Sequence, residues 1–220
     1  MRWEMLLAVR KWLILLLGLT MGYASHAGKI TPAAPTDAGP TRILVLGDSL
    51  SAEYGLPRGS GWVTLIEQRL AQREQAYQIR NASISGDTTD NGLQRLPTLL
   101  QEFAADIVIL QLGANDGLRG LPVPDMKRNL RRLVELCREH GAQVLVVGQQ
   151  IPPNYGRRYA SDFQAAFATV ANDTGSALVP FMLEGIAAEA TMFQDDGLHP
   201  TVQAQAHIAD TIWQYLKELL

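Results

Sequence analysis

A serine, a histidine and an aspartate occupy short segments that could together form a catalytic triad. Ser49 lies in a Gly-Asp-Ser-Leu tetrapeptide directly after an apolar run, and His199 follows Asp196 by three residues near the C-terminus. A serine hydroxyl attacks an ester only when a base removes its proton, and an imidazole held by a carboxylate is such a base. These residue types predict ester hydrolysis through a covalent acyl-enzyme. The other interpretation of Ser49 is a helix N-cap, which is common at such turns.

The spacing of the C-terminal segment favours Asp196 as the carboxylate of the triad. One turn of chain can place it against the imidazole nitrogen that faces away from Ser49. Asp195 is the competing candidate for this role. Pro200 restricts the backbone of His199 and can begin the last helix.

Two further residues could stabilise the negative charge that develops on an ester oxygen. Gly86 would let a backbone N–H approach the substrate closely, and the Asn115 side chain offers a neutral donor. Taken singly, each is equally well explained as an ordinary turn residue. Their value for function depends on whether the fold brings them to Ser49.

Short apolar runs alternate with longer amphipathic stretches, which predicts an α/β fold with a five-stranded parallel sheet and helices on both faces. The predicted strands are 43–46, 77–82, 107–112, 144–147 and 177–179, and the predicted helices are 62–73, 91–103, 126–140, 163–174 and 202–219. Right-handed crossovers place the carboxyl ends of parallel strands on one edge, where ligands bind. We therefore expect Ser49, Gly86 and Asn115 to meet at that edge.

The first 27 residues predict a secretory signal peptide. Arg2, Arg10 and Lys11 precede an apolar core at 12–21, and small residues follow at 25 and 27. The core is shorter than the roughly 20 residues of a membrane span, although a retained anchor is the alternative. Residues 28–41 are expected to form a flexible lead-in, and 42–220 a single domain. We expect export, to the periplasm if the source is a diderm bacterium.

Composition excludes several other classes of function. A net charge of −3 gives no reason to expect nucleic acid as a partner. The only cysteine, Cys137, lies in an apolar helical stripe and is expected in the core, and no cysteine–histidine cluster suggests a metal. We expect no metal, no membrane span in the mature chain, and a monomer whose partner is a small acyl ester or thioester.

Taken together, five segments make the chain resemble the SGNH (GDSL-type) hydrolase family. Within it, the resemblance is greatest to the bacterial periplasmic branch of multifunctional thioesterases, lysophospholipases and arylesterases. The segments begin at residues 46, 81, 113, 154 and 194 and read LGDSLS, NASISGDT, GANDGLRG, NYGRRY and QDDGLHP. The resemblance covers residues 42 to about 216.

The resemblance implies a flavodoxin-like three-layer sandwich, no cofactor and a defined set of site residues. Ser49, Gly86, Asn115 and His199 match the residues that name the family, and Asp196 matches the third member of the triad. The implied oxyanion donors are the N–H groups of Ser49 and Gly86 and the side chain of Asn115. Loop 117–122 matches a segment that closes over acyl chains. The expected acyl-binding residues are Leu118, Leu121, Ile151 and Tyr155.

One departure from the resemblance concerns the lining of the acyl pocket. Gln149 and Gln150 stand where that branch can carry a more apolar wall, and polar side chains there would weaken a preference for long acyl chains if they face the pocket. A carbohydrate O-acetyl esterase is the alternative enzyme. A non-catalytic acyl or lipid binder is the alternative outside the enzymes.

Overall fold

The computed structural model describes residues 39–220. The predicted signal peptide at 1–27 and most of the predicted lead-in lie outside the described residues. The strands are β1 Thr41–Gly47, β2 Tyr77–Asn81, β3 Ile107–Gln111, β4 Gln143–Val147 and β5 Ala177–Val179. The α-helices are α1 Trp62–Leu70, α2 Thr89–Phe103, α3 Ala114–Leu118, α4 Val123–Glu139, α5 Arg157–Thr174 and α6 Val202–Leu216.

All five strands are parallel and lie in the order β2-β1-β3-β4-β5. The predicted fold class is therefore confirmed. The chain moves from β1 to β2 on one side and then returns to place β3 on the other side of β1. This reversal creates a crevice at the carboxyl ends of β1 and β3, the place where sheets of this kind bind ligands.

Helices cover both faces of the sheet, and alternate residues of the central strands point into the two apolar clusters beneath them. In β1, Leu44 and Leu46 belong to the apolar cluster beneath α2, α4 and α5, whereas Ile43 and Val45 belong to the cluster beneath α1 and α6. Cys137 is buried in the first cluster, as predicted, and burial raises the pKa of its thiol to about 12. Among residues 39–220, no helix combines the length and apolar character needed to cross a bilayer.

Three helices start earlier than the sequence predicted: α2 at 89, α4 at 123 and α5 at 157, and of these only α2 has a side-chain cap. α2 begins at Thr89 because Thr88 and Asn91 form a reciprocal capping box. The short helix α3 has no apolar repeat and was not predicted. Its start matters for the site because it carries Asn115 directly after β3.

Asp116 in α3 connects the start of α2 to the sheet edge. It is almost fully buried and accepts hydrogen bonds from the Thr89 N–H at 2.9 Å and the Thr89 hydroxyl at 2.6 Å. Burial raises the pKa of the Asp116 carboxyl above its ordinary value, although the Thr89 bonds oppose this shift. Asp116 thus holds two site-bearing segments in register.

We expect Asp116→Ala to lower the free energy of unfolding by about 2–3 kcal/mol, since it leaves two buried donors without an acceptor. Urea unfolding measures the change. The control is Asp125→Ala, which removes an exposed carboxylate paired with Arg128 and should cost less than about 1 kcal/mol. Equal losses in the two variants would contradict the role given to Asp116.

Candidate active site

Ser49 reaches the rim of the sheet through a tight turn after β1. A side chain at Gly47 would lie 2.7 Å from both Gln111 and Ser51, so it would displace the buried hydrogen bond between those two side chains. The carbonyl of Asp48 then accepts the N–H of Ser51 at 3.1 Å, which closes the turn. The turn leaves Ser49 partly exposed at the carboxyl edge.

The structure places His199 beside Ser49 although 150 residues separate them. The His199 Nε2 atom lies 2.9 Å from Ser49 Oγ, and His199 Nδ1 lies 2.6 Å from Asp196 Oδ2. The second Asp196 oxygen accepts the backbone N–H groups of Leu198 at 2.9 Å and His199 at 3.0 Å. One carboxylate therefore shapes the turn and orients the imidazole. Asp196, rather than the exposed Asp195, makes this contact.

The hydrogen bonds to Asp196 also determine its charge. The backbone N–H of His199 contributes most, followed by that of Leu198, and together they lower the pKa of Asp196 to about 2. The carboxylate is therefore ionised throughout the neutral range. An ionised partner on Nδ1 keeps the proton there and leaves Nε2 free to accept the serine proton.

Sequence reasoning did not identify the contacts that hold this segment against the start of the domain. The ring of Tyr54 lies against that of His199, with a centroid separation of 4.4 Å. The Gln194 amide donates to the carbonyls of Tyr54 at 3.0 Å and Pro200 at 3.1 Å. Gln194 therefore ties the loop that carries His199 to the turn that follows Ser49.

Asn115 lies at the start of α3, after Gly113 turns the chain with φ +122°. Its Nδ2 donates to the carbonyl of Asp87 at 3.0 Å. Gly86, the residue before Asp87, has φ +86°. Its carbonyl accepts a hydrogen bond from the Arg119 guanidinium at 2.8 Å. The structure thus joins the segments of Gly86 and Asn115, and Asn115 shares a cavity wall with Ser49.

A cavity of about 370 Å³ opens beside Ser49, and its lining combines Ser49 and His199 with apolar side chains. Of the expected acyl-binding residues, Leu118 and Ile151 line it. Leu121 and Tyr155 do not line it; both are exposed, and the Tyr155 hydroxyl donates to the carbonyl of Leu118 at 3.0 Å. Gly86 also lies outside the set of lining residues.

Both glutamines that follow β4 line the cavity, and Gln149 is buried whereas Gln150 is exposed. Sequence reasoning missed the apolar wall that follows β5 and the one in the loop before His199. These lining residues are Phe181, Met182, Leu183, Ala187, Phe193 and Leu198. Ligands bind at the carboxyl ends of parallel strands, and this rule pointed to Ser49 and Asn115. The same rule could have found the residues after β5, because they also follow a strand.

Residues 45–207 match the sequence profile of the GDSL-like lipase/acylhydrolase family. The chain belongs to this family. The resemblance noted in the sequence is therefore confirmed, and the protein is a carboxylic ester hydrolase. The match spans both the segment of Ser49 and that of His199.

Curated relatives and a solved structure agree with this assignment. The chain is 46% identical to the esterase TesA of Pseudomonas aeruginosa over 81% of this chain and 89% of the relative. It is 43% identical to an arylesterase of Vibrio mimicus (80% and 88% covered) and 37% identical to the thioesterase 1/protease 1/lysophospholipase L1 of Escherichia coli K12 (81% and 84% covered). A crystal structure of TesA superposes with a TM-score of 0.79 at 46% identity, covering 81% and 99% of the two chains.

In this GDSL-like hydrolase, the aspartate of the tetrapeptide is a buried structural acid that sequence reasoning did not single out. Asp48 is fully buried and accepts the Leu50 N–H and the Gln111 amide, each at 3.0 Å. Its other oxygen lies 3.5 Å from the amide nitrogen of Asn115. Burial raises the pKa of Asp48 from 3.8 to about 6, against the opposing effect of the Gln111 bond.

The raised pKa of Asp48 predicts a pH-dependent stability with a definite sign. The folded chain binds this proton more tightly than the unfolded chain, so the contribution of Asp48 is fully present below pH 4 and is lost as the pH rises through 6. Asp48→Asn removes this loss. The free energy of unfolding of the variant, relative to the wild type, should therefore rise by about 3 kcal/mol between pH 4 and pH 7. Urea titrations across this range measure the difference, and a constant difference would contradict the prediction.

Proposed function

We propose that this chain is an exported serine esterase with arylesterase, lysophospholipase or acyl thioesterase activity. The observation that carries the proposal is the continuous contact from Ser49 Oγ through His199 to Asp196, with separations of 2.9 and 2.6 Å, at the mouth of an apolar cavity. The relatives, which include an esterase, an arylesterase and a thioesterase/lysophospholipase, support the same scope.

The acylation step begins when His199 Nε2 takes the hydroxyl proton and Ser49 Oγ bonds to the acyl carbon. The electron pair of the carbonyl moves to its oxygen, which Asn115 and the N–H groups of Ser49 and Gly86 stabilise. The Asn115 amide carries two hydrogens: one bonds to the Asp87 carbonyl at 3.0 Å, and the substrate oxygen replaces the long 3.5 Å contact of the other with Asp48. The carbonyl then re-forms as the alcohol or thiol departs with the proton from His199.

Deacylation repeats these movements with water as the nucleophile. His199 takes one water proton, the hydroxyl oxygen bonds to the acyl carbon, and Ser49 leaves with the proton returned by the imidazolium. Asp196 stabilises the imidazolium in both steps. The products are a carboxylic acid and the restored serine, so the cycle needs no cofactor.

The size and lining of the cavity favour acyl groups of short to medium length. Its volume of about 370 Å³ lies near the lower end of the roughly 300–1,000 Å³ typical of ligand sites. Leu118, Ile151 and Phe181 supply apolar contact for the first methylenes. Each methylene that they cover contributes about 0.8 kcal/mol.

The proposal is tested by identifying the nucleophile chemically. A 4-nitrophenyl alkylphosphonate should label the protein at one equivalent, release 4-nitrophenol in a burst, and abolish hydrolysis of 4-nitrophenyl butyrate and of butyryl thioesters together. Peptide mass spectrometry should place the label on Ser49. Labelling of another residue, or full activity after stoichiometric labelling of Ser49, would refute the mechanism.

Export is tested separately, because the leader lies outside the described residues. The composition of residues 1–27 supports cleavage after Ala27. Expression of the full chain in a diderm bacterium should yield a periplasmic protein whose N-terminal residue is Gly28. Recovery of the intact leader in the membrane fraction would favour the retained anchor instead.

A further inference from the structure

Gln149 is held at the cavity by a rigid backbone link between β4 and the segment after β5. The Gly148 N–H donates to the Val179 carbonyl at 2.7 Å, and the Gly148 carbonyl accepts the Met182 N–H at 3.2 Å. A side chain at Gly148 would lie 2.2 Å from the Pro180 carbonyl, so the two segments touch at this point. The backbone of Gln149, the next residue, is therefore fixed at the wall of the cavity.

The side chain of Gln149 is buried, and its amide nitrogen lacks the partner that a buried donor normally has. The residue is 3% exposed, and its Nε2 has no hydrogen-bond partner among residues 39–220. Buried polar atoms are almost always paired, because losing water without a replacement is unfavourable. An apolar side chain of the same length would avoid this cost. A ligand that hydrogen-bonds to the amide would offset this cost.

The order of the strands indicates which part of the substrate would meet Gln149. Along the carboxyl edge, Ser49 follows β1, Asn115 follows β3 and Gln149 follows β4, so Gln149 lies beyond Asn115 from the nucleophile. The leaving group must depart next to His199, which protonates it. The acyl chain is then the part that extends along the wall of Leu118, Gln149 and Ile151.

We infer that Gln149 is a specificity residue whose carboxamide hydrogen-bonds an oxygen atom carried within the acyl chain. The site then prefers acyl groups with an ether, hydroxyl or oxo oxygen to plain alkyl chains of equal length. This inference rests on the proposed function, since it takes the cavity as the acyl site. A carboxamide has a donor and an acceptor, and rotation about its last torsion turns either toward a ligand. An ether oxygen can accept a hydrogen bond but cannot donate one. Substrates with an ether oxygen therefore test the Nε2 donor of Gln149.

The test uses 4-nitrophenyl hexanoate and three isosteric esters in which an ether oxygen replaces the methylene at acyl position 3, 4 or 5. Each kcat/KM is divided by the rate of the same ester with hydroxide, which removes differences in intrinsic reactivity. For the wild type we expect one ether position to be preferred to hexanoate. Gln149→Met, which has nearly the same shape, should lower this ether-to-alkyl ratio by about fivefold to a hundredfold.

Two substitutions separate this role from a general effect of losing a glutamine. Gln143→Met changes an exposed glutamine at the opposite end of β4 and should leave rates and ratio unchanged. Gln150→Met changes the exposed glutamine of the cavity wall, whose amide is accessible to solvent, and should shift the ether-to-alkyl ratio by less than twofold. A shift as large as that of Gln149→Met would overturn the inference.

Other outcomes also decide the question. The inference fails if the wild type disfavours oxygen at every acyl position, a result that needs no variant. It also fails if Gln149→Met and Gln149→Leu both leave the ratio within twofold, or if oxygen is preferred only in the alcohol part of the ester. A wild type that hydrolyses none of the four esters would instead contradict the proposed function.

Discussion

Replacement of Ser49 by alanine is expected to lower kcat/KM for 4-nitrophenyl butyrate by about 10⁴- to 10⁶-fold. The variant has no hydroxyl to form the acyl-enzyme. His199 can then only activate a water molecule, which is not held in position to attack the ester carbonyl. The fold should be unaffected, because the Ser49 side chain is partly exposed and its one side-chain hydrogen bond in the described part of the chain is to His199. Circular dichroism and the unfolding midpoint should match those of the wild type.

The matched control for this substitution is Ser161→Ala, which removes an exposed hydroxyl from α5 at a position outside the cavity lining. It should retain full activity and full phosphonate labelling. Ser49→Ala should show neither the burst of 4-nitrophenol nor the covalent label. A variant that loses the label but keeps more than about one tenth of the activity would remove Ser49 from the role of nucleophile.

Asp196→Asn is expected to lower kcat by about 10²- to 10⁴-fold, a loss second only to that of the nucleophile. An asparagine amide can present its N–H₂ group to His199 Nδ1 and so favour the tautomer that carries its proton on Nε2. That nitrogen then faces Ser49 as a donor and cannot accept the hydroxyl proton. The neutral side chain also fails to stabilise the imidazolium that forms in each step.

The control for Asp196 is its neighbour, because both were candidates from the sequence. Asp195→Asn makes the same chemical change at an exposed position and should keep activity within about twofold. The loss in Asp196→Asn should persist across the neutral and alkaline range, since the pKa of about 2 keeps the wild-type carboxylate ionised there. Comparable losses in the two variants would show that general charge, rather than the contact with His199, is responsible.

The fold and the convergence of the site segments were predictable for a shared physical reason. Apolar runs such as that of β3 are buried on both faces, and right-handed crossovers bring the carboxyl ends of parallel strands to one edge. Ser49 and Asn115 each follow such a run, so their proximity is a consequence of topology. The helix α3 escaped prediction because it is only five residues long and begins after Gly113, without an apolar repeat or a side-chain cap.

By itself, the sequence determined which residue types could do chemistry, which strands carry them, and the family to which the chain belongs. It also favoured Asp196 over Asp195, because a three-residue turn limits which carboxylate can meet the imidazole. Only the tertiary structure decided how deeply Gln149 is buried, that Asp48 is fully enclosed, and that Leu118 lines the cavity while Leu121 lies outside it. These properties depend on how loops from distant segments pack at the rim, and the local pattern of residues around each position carries no record of that packing.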